Sequence, residues 1–208
     1  MPLQNRVLPS GDIVTDPARG MFTGNRGVLH KSDKTLGVSR WKHPHWIICA
    51  LEYKGWQRRV MTPGRWTELF FLDEAVALSA GHRPCALCRR AAYNRFLDAW
   101  QGAFGDRPKA PALDGALHRA RLVPGTRTQK TFAAPLDRLP TGAFCIVNGL
   151  PHLVHENRLL QFSPGGYTLP KPRASVGPGS VRVLTPAPTI AAMAAGYLPA
   201  LHFSALCA

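Results

Sequence analysis

The sequence predicts an α+β protein: a small antiparallel sheet with a helix pair built around two cysteines, followed by a β-rich C-terminal module. Three observations carry this. Between Phe70 and Arg90, helix start and stop signals agree on two helices joined by a sharp turn. Upstream lie three apolar runs with strand character. Downstream of Gly115, short apolar runs recur between turn residues, and Asn148-Gly149 is a strong hairpin signal.

The central stretch is the most informative. Asp73 stands where a side-chain oxygen can accept one of the amides that the first turn of a helix leaves unpaired. Gly81 is placed to end that helix at its C′ position. Pro84 then opens a second helix with Cys85 and Cys88 in its first turn, where the positive end of the dipole favours thiolate over thiol. Ala92, Phe96 and Trp100 continue the cysteine stripe, which leaves Arg89, Arg90 and Arg95 on the exposed side.

The flanks are read in the same way. Residues 1–22 are rich in proline, glycine and aspartate without apolar periodicity, which predicts an irregular arm. Asn25 to Lys31, His45 to Tyr53 and Gln57 to Phe71 read as strands, with turns at Lys54-Gly55 and Pro63-Gly64. Residues 102–115 read as a linker, dividing the chain into units at 1–104 and 113–208, with Leu113 to Leu122 as a short helix. In the second unit, Phe144 to Val147, Leu153-Val154, Leu159 to Phe162 and Val181 to Leu184 are strand candidates. Residues 171–180 form an exposed loop, and Thr185-Pro186 opens a last helix that Gly196 ends.

With 26 basic and 12 acidic residues the formal net charge is +14, and the pI is near 10.4. The excess is spread along the chain, with 15 basic and 8 acidic residues up to Trp100 and 11 and 4 after it. Such a field favours a polyanionic partner, nucleic acid and DNA first, over a neutral small molecule. Arg89, Arg90 and Arg95 are the candidate phosphate contacts. Trp41 and Lys42 open a stretch, to Trp46, that interleaves aromatic, basic and imidazole groups suited to stacking bases. Five cysteines are an odd number, and the N-terminus has no apolar signal segment, so we expect a reduced, cytoplasmic protein. No run approaches the roughly 20 apolar residues that span a bilayer.

A Cys-x-x-Cys pair supplies two soft ligands from one turn, which is half of a tetrahedral zinc site. Cys49, on a strand able to approach the second helix, is the expected third ligand, and His30 the fourth, with His43, His45 and His82 in reserve. The sheet and helix pair then surround a zinc site. Inert core cysteines are the alternative, since free cysteine behaves as a small hydrophobe. A dithiol redox pair is another, although a thioredoxin-like motif belongs after the first strand of a βαβ unit, and antiparallel strands precede this one.

Phe70-Phe71, the helix from Asp73 to Gly81, and Arg83-Pro84-Cys85-x-x-Cys88-Arg89 resemble the second half of the zinc-binding module of Ada-type DNA methylation-repair proteins. The likeness covers residues 68–95 and nothing in the last hundred. It implies that Cys85 and Cys88 bind zinc with an upstream pair, one member of which accepts a methyl group from a DNA phosphotriester. The family's upstream Cys-x-x-x-Cys is absent here, and His82 replaces the family's usual aromatic residue. Related stand-alone modules can use a histidine with a cysteine for the upstream half, a pattern that His30 and Cys49 would fit.

The functional expectation is a zinc-binding, nucleic-acid-associated protein, most simply a DNA binder, with a mainly structural metal. Two alternatives remain open. One is a thiolate-based enzyme, acting by methyl acceptance at Cys49 or by redox chemistry at Cys85 and Cys88. The other is a protein-interaction adaptor with a structural zinc.

Overall fold

A computed structural model describes residues 1–56 and 59–207. Gln57 and Arg58, the start of the third expected strand, lie outside the described residues. Within them the chain is α+β, with two six-stranded sheets and five helices. The first sheet comprises β1 (Gln4–Val7), β2 (Ile13–Thr15), β3 (Phe22–Asn25), β4 (Ile47–Ala50), β5 (Leu69–Phe71) and, after helix α1 (Glu74–Ser79), β6 (Arg83–Pro84). Its order is β2-β1-β5-β3-β4-β6. Helices α2 (Arg90–Phe104) and α3 (Ala110–Arg121) follow. The second sheet then runs through β7 (Phe132–Pro135), β8 (Phe144–Val147), β9 (Leu150–His155), β10 (Arg158–Ser163), β11 (Gly166–Pro172) and β12 (Ser180–Val183), in the order β11-β10-β9-β8-β12-β7. Helices α4 (Ala187–Ala194) and α5 (Phe203–Leu206) complete it. No helix among the described residues is long and apolar enough to cross a membrane.

Helix α1 forms where its end signals place it. The Asp73 carboxylate accepts the Val76 amide at 3.0 Å. At the other end Gly81 takes φ 84°, and the Gly81 and His82 amides donate back to Leu78 and Ala77. This double closure satisfies two terminal carbonyls.

The second helix starts later than expected. Arg83 and Pro84 do not begin it but pair in parallel with Ile47 and Ile48 of β4, with the Arg83 amide on Trp46 and the Cys85 amide on Ile48. Edge pairing supplies partners for these amides that a first helical turn would leave open. Cys85 and Cys88 therefore sit in the tight turn between β6 and α2, and α2 itself begins at Arg90.

The expected antiparallel sheet is mixed, because β1 pairs in parallel with β5 and β6 with β4. The N-terminal arm is not irregular: residues 4–15 form a hairpin on the sheet edge and bury Val7 and Ile13. The short helix expected at Leu113 to Leu122 forms as α3 and starts earlier, at Ala110, inside the stretch read as a linker; it buries Leu113 and Leu117 completely. In the second sheet, Asn148 and Gly149 take φ 52° and 78° between β8 and β9, the left-handed pair a two-residue hairpin requires.

One apolar cluster runs through both halves. Val7, Phe71, Phe96 and Leu113 share it with Phe144, Leu153, Leu160 and Tyr197. Two buried carboxylates reinforce that seam. Asp73 accepts the Tyr167 hydroxyl at 2.8 Å and the His202 amide at 3.1 Å. Glu74 accepts the Tyr197 hydroxyl at 2.7 Å and the Ala200 amide at 2.9 Å.

Candidate metal centre

Strand β4 and the turn before α2 bring three cysteines together. Cys49 lies in β4, opposite Thr23 of β3, and the parallel pairing of β4 with β6 delivers Cys85 and Cys88 beside it. The Sγ atoms of Cys49, Cys85 and Cys88 all lie within 4.8 Å of one another. Amide groups of the same elements point at two of them: Ala50 donates to Cys88 Sγ and Leu87 to Cys85 Sγ, each at 3.4 Å. Such N–H···S contacts favour thiolate.

Charge in the cluster is shared unequally. Hydrogen bonding from Cys49 and Cys88 lowers the Cys85 thiol well below its ordinary value, whereas Cys49 is pushed upward by the neighbouring sulfurs and by burial. Three thiols this close cannot all ionise without a counter-cation. A soft divalent ion would supply that charge, and the donor set, three sulfurs with amides directed at two of them, could hold one.

The sulfurs border a cleft of about 380 Å³. Its walls include Tyr53, Trp56, Trp66 and Phe70, with Glu68 among them. Trp56 and Leu87 at its rim are about half exposed, at 53% and 54%. The sequence reading missed these aromatic walls. The density of tryptophan and tyrosine between residues 53 and 66 was the available signal.

The other expected site residues are placed differently. His30 is not grouped with the three sulfurs: its Nδ1 is 2.7 Å from the Thr67 hydroxyl and its Nε2 is 3.3 Å from the Thr62 carbonyl. A buried loop histidine with both ring nitrogens engaged is a structural tie. His43, His45 and His82 also lie outside the cluster. Arg89 is turned inward, bonded to Glu74 at 2.8 Å and 4.1 Å from the Phe22 ring centroid, which removes it from the exposed basic face. Arg90 and Arg95 are exposed on α2, as is Lys42 on its loop. Trp41 is half-buried, 6.0 Å from both the Trp46 and the His118 rings.

Behind the cysteine turn, β6 is held by a buried ionic tie. Arg83 makes two hydrogen bonds to Asp114 of α3, at 2.9 and 2.8 Å, and His45 reaches the same carboxylate at 2.8 Å. A forked guanidinium–carboxylate pair fixes orientation as well as distance. It therefore sets where the chain emerges at Cys85.

Fold and site together define an α+β protein with a three-cysteine centre at a sheet edge. No protein-family model, curated protein or solved structure matches the chain.

Proposed function

We propose that the protein binds one zinc ion through Cys49, Cys85 and Cys88 and associates with nucleic acid, the metal serving mainly to lock β4 to the turn before α2. The observation that carries this reading is the convergence of three sulfurs from two separate segments within 4.8 Å. Zinc–sulfur bonds of about 2.3 Å span such a triangle with little rearrangement. With His30 engaged elsewhere, the three sulfurs would hold the ion at the wall of the aromatic cleft they line, and a fourth ligand would have to come from water or a bound molecule. Arg90, Arg95 and Lys42, together with the net charge of +14, support contact with phosphate.

Protein purified without chelator should carry about one zinc per chain, and Cys88→Ser should lose most of it. Cobalt substitution should give the intense sulfur-to-metal absorption of a thiolate-rich site. Metal below a tenth of an equivalent, roughly, would remove the reading. For nucleic acid, fluorescence anisotropy at two salt concentrations should show Arg90→Ala plus Arg95→Ala weakening duplex binding for all sequences. The salt slope should flatten by about 0.9 for each phosphate that the variant no longer neutralises.

The cleft favours one second reading, in which Cys49 acts as a metal-activated nucleophile toward an alkyl group presented there. Cys49, Cys85 and Cys88 all line that cleft. Mass spectrometry after incubation with DNA bearing methyl phosphotriesters separates the two. A single methyl on Cys49 supports transfer, and an unmodified cysteine supports the structural metal.

A further inference from the structure

A second cleft lies away from the sulfurs, between loops of the first and second halves of the chain. It has a volume of about 370 Å³ and is lined from the first half by Gly11, Asp12, Arg26, Arg40, Trp41 and Trp46. The second half contributes Arg127, Gln129 and, from β12, Arg182. Four arginines thus line one cavity whose single carboxylate, Asp12, already accepts the Ser10 hydroxyl at 2.7 Å, while Arg40 Nη1 donates to the Gly37 carbonyl at 2.7 Å. None of the four has a carboxylate within ion-pair distance among the described residues.

Arg26 is the decisive group. It is only 2% exposed. Its Nη1 donates to the Gly11 carbonyl at 3.0 Å, its Nε lies 3.3 Å from His82 Nε2, and its carbon sits 4.0 Å from the Trp46 ring centroid. Its Nη2 has no hydrogen-bond partner among the described residues. A buried cation held by one carbonyl, one imidazole and one ring face, with a free donor, lacks an anion. Burial lowers its pKa to about 9, with Asp12 opposing that shift and Arg40, a like charge, adding to it.

We propose that this cleft binds a phosphate group of a nucleotide-sized ligand, with the phosphate on the Arg26, Arg40, Arg127 and Arg182 guanidiniums and the flat ring of the ligand against Trp41. Arginine forks match phosphate oxygens two at a time, and a tryptophan face accepts a base without regard to its identity. The volume suits one nucleotide, which distinguishes this site from a flat phosphate-tracking surface. The site stands apart from the metal centre and from the arginines of α2.

The test uses the full chain at low salt, with intrinsic tryptophan fluorescence and calorimetry as readouts. The probes are inorganic phosphate, adenosine monophosphate, adenosine and a short single-stranded oligonucleotide. Phosphate and the monophosphate should bind and raise the unfolding temperature, adenosine should not bind, and only the ring-bearing phosphate probes should quench tryptophan. Arg127→Ala and Arg182→Ala, both at exposed positions, should each weaken the monophosphate about tenfold or more while zinc content is unchanged. Tighter binding of the oligonucleotide than of the monophosphate assigns the phosphate to a strand, and the reverse order assigns it to a free nucleotide. Absence of binding by all the phosphate-bearing probes, or unchanged affinity in the Arg127→Ala plus Arg182→Ala double variant, overturns the proposal. Metal content and α2-dependent duplex binding are measured separately, so they stand or fall on their own.

Discussion

Asp73 does two jobs with one carboxylate. One oxygen caps α1, and the other takes the Tyr167 hydroxyl and the His202 amide. Complete burial raises its pKa from 3.8 to about 6, against the pull of those three donors. A carboxyl whose folded value lies above its unfolded one binds more protons in the folded state between the two. Its contribution to stability is therefore full below about pH 4 and is lost as the pH rises through 6. That difference corresponds to about 3 kcal/mol. Urea unfolding of wild type and Asp73→Asn, compared at pH 4 and pH 7, should show wild type losing about that much relative to the variant. A pH-independent difference would mean that the carboxyl has the same pKa folded and unfolded.

At the scale of elements, the turn from α1 into β6 decides where the cysteines emerge. Gly81 adopts φ 84°, and a β-carbon there would stand 2.5 Å from Cδ of Arg121. Arg121 cannot withdraw freely, since it bonds the Gly81 carbonyl at 2.7 Å and the Pro44 carbonyl at 2.6 Å. Gly81→Ala should therefore cost about 2 kcal/mol, more than the roughly 1 kcal/mol of backbone strain alone, as a lowered urea midpoint with unchanged slope. What the sequence revealed divides along the same line. The Asp73 cap, the Gly81 stop, the Asn148-Gly149 hairpin and the Gly196 stop after α4 are local chemistry and were legible. So was the pairing of Cys49 with Cys85 and Cys88, because thiols of that spacing have few other uses. The β1–β2 hairpin was not, because strands of 4 and 3 residues hold too little periodicity to detect. Arg89 and His30 were misplaced because Glu74, Phe22 and Thr67, which claim them, are neighbours only after folding. The cleft arginines escaped for the same reason, coming from four separated segments.

At the scale of the molecule, a core cluster continuous from Val7 to Ala205 predicts one cooperative unfolding transition. Near-UV circular dichroism, which reports packed aromatics, and far-UV dichroism should coincide on urea titration. Two separated transitions would instead show that each sheet is stable alone. Tyr197→Phe should destabilise the fold by about 1–3 kcal/mol, since it removes one buried donor from Glu74, which retains Arg89 and the Ala200 amide. A cut at residue 104 should yield a piece that fails to fold, as it strips Asp73 and Glu74 of Tyr167, Tyr197 and the amides of Ala200 and His202.

The reach of those last two amides bears on how the chain is made. Glu74 waits for Ala200, 126 residues later, and Asp73 for His202, 129 residues later. During synthesis at about 5–20 residues per second, both carboxylates are exposed for several seconds or more before their partners leave the ribosome. All three cysteines of the cluster have by then been translated, so the nascent chain offers its thiols to metal or oxidant before the first sheet can close over its own polar groups. A ribosome stalled near residue 190, with all three cysteines well clear of the exit tunnel, should present a chain that captures zinc yet stays sensitive to protease. Release of the remaining C-terminal segment should convert it to the resistant form without further metal uptake.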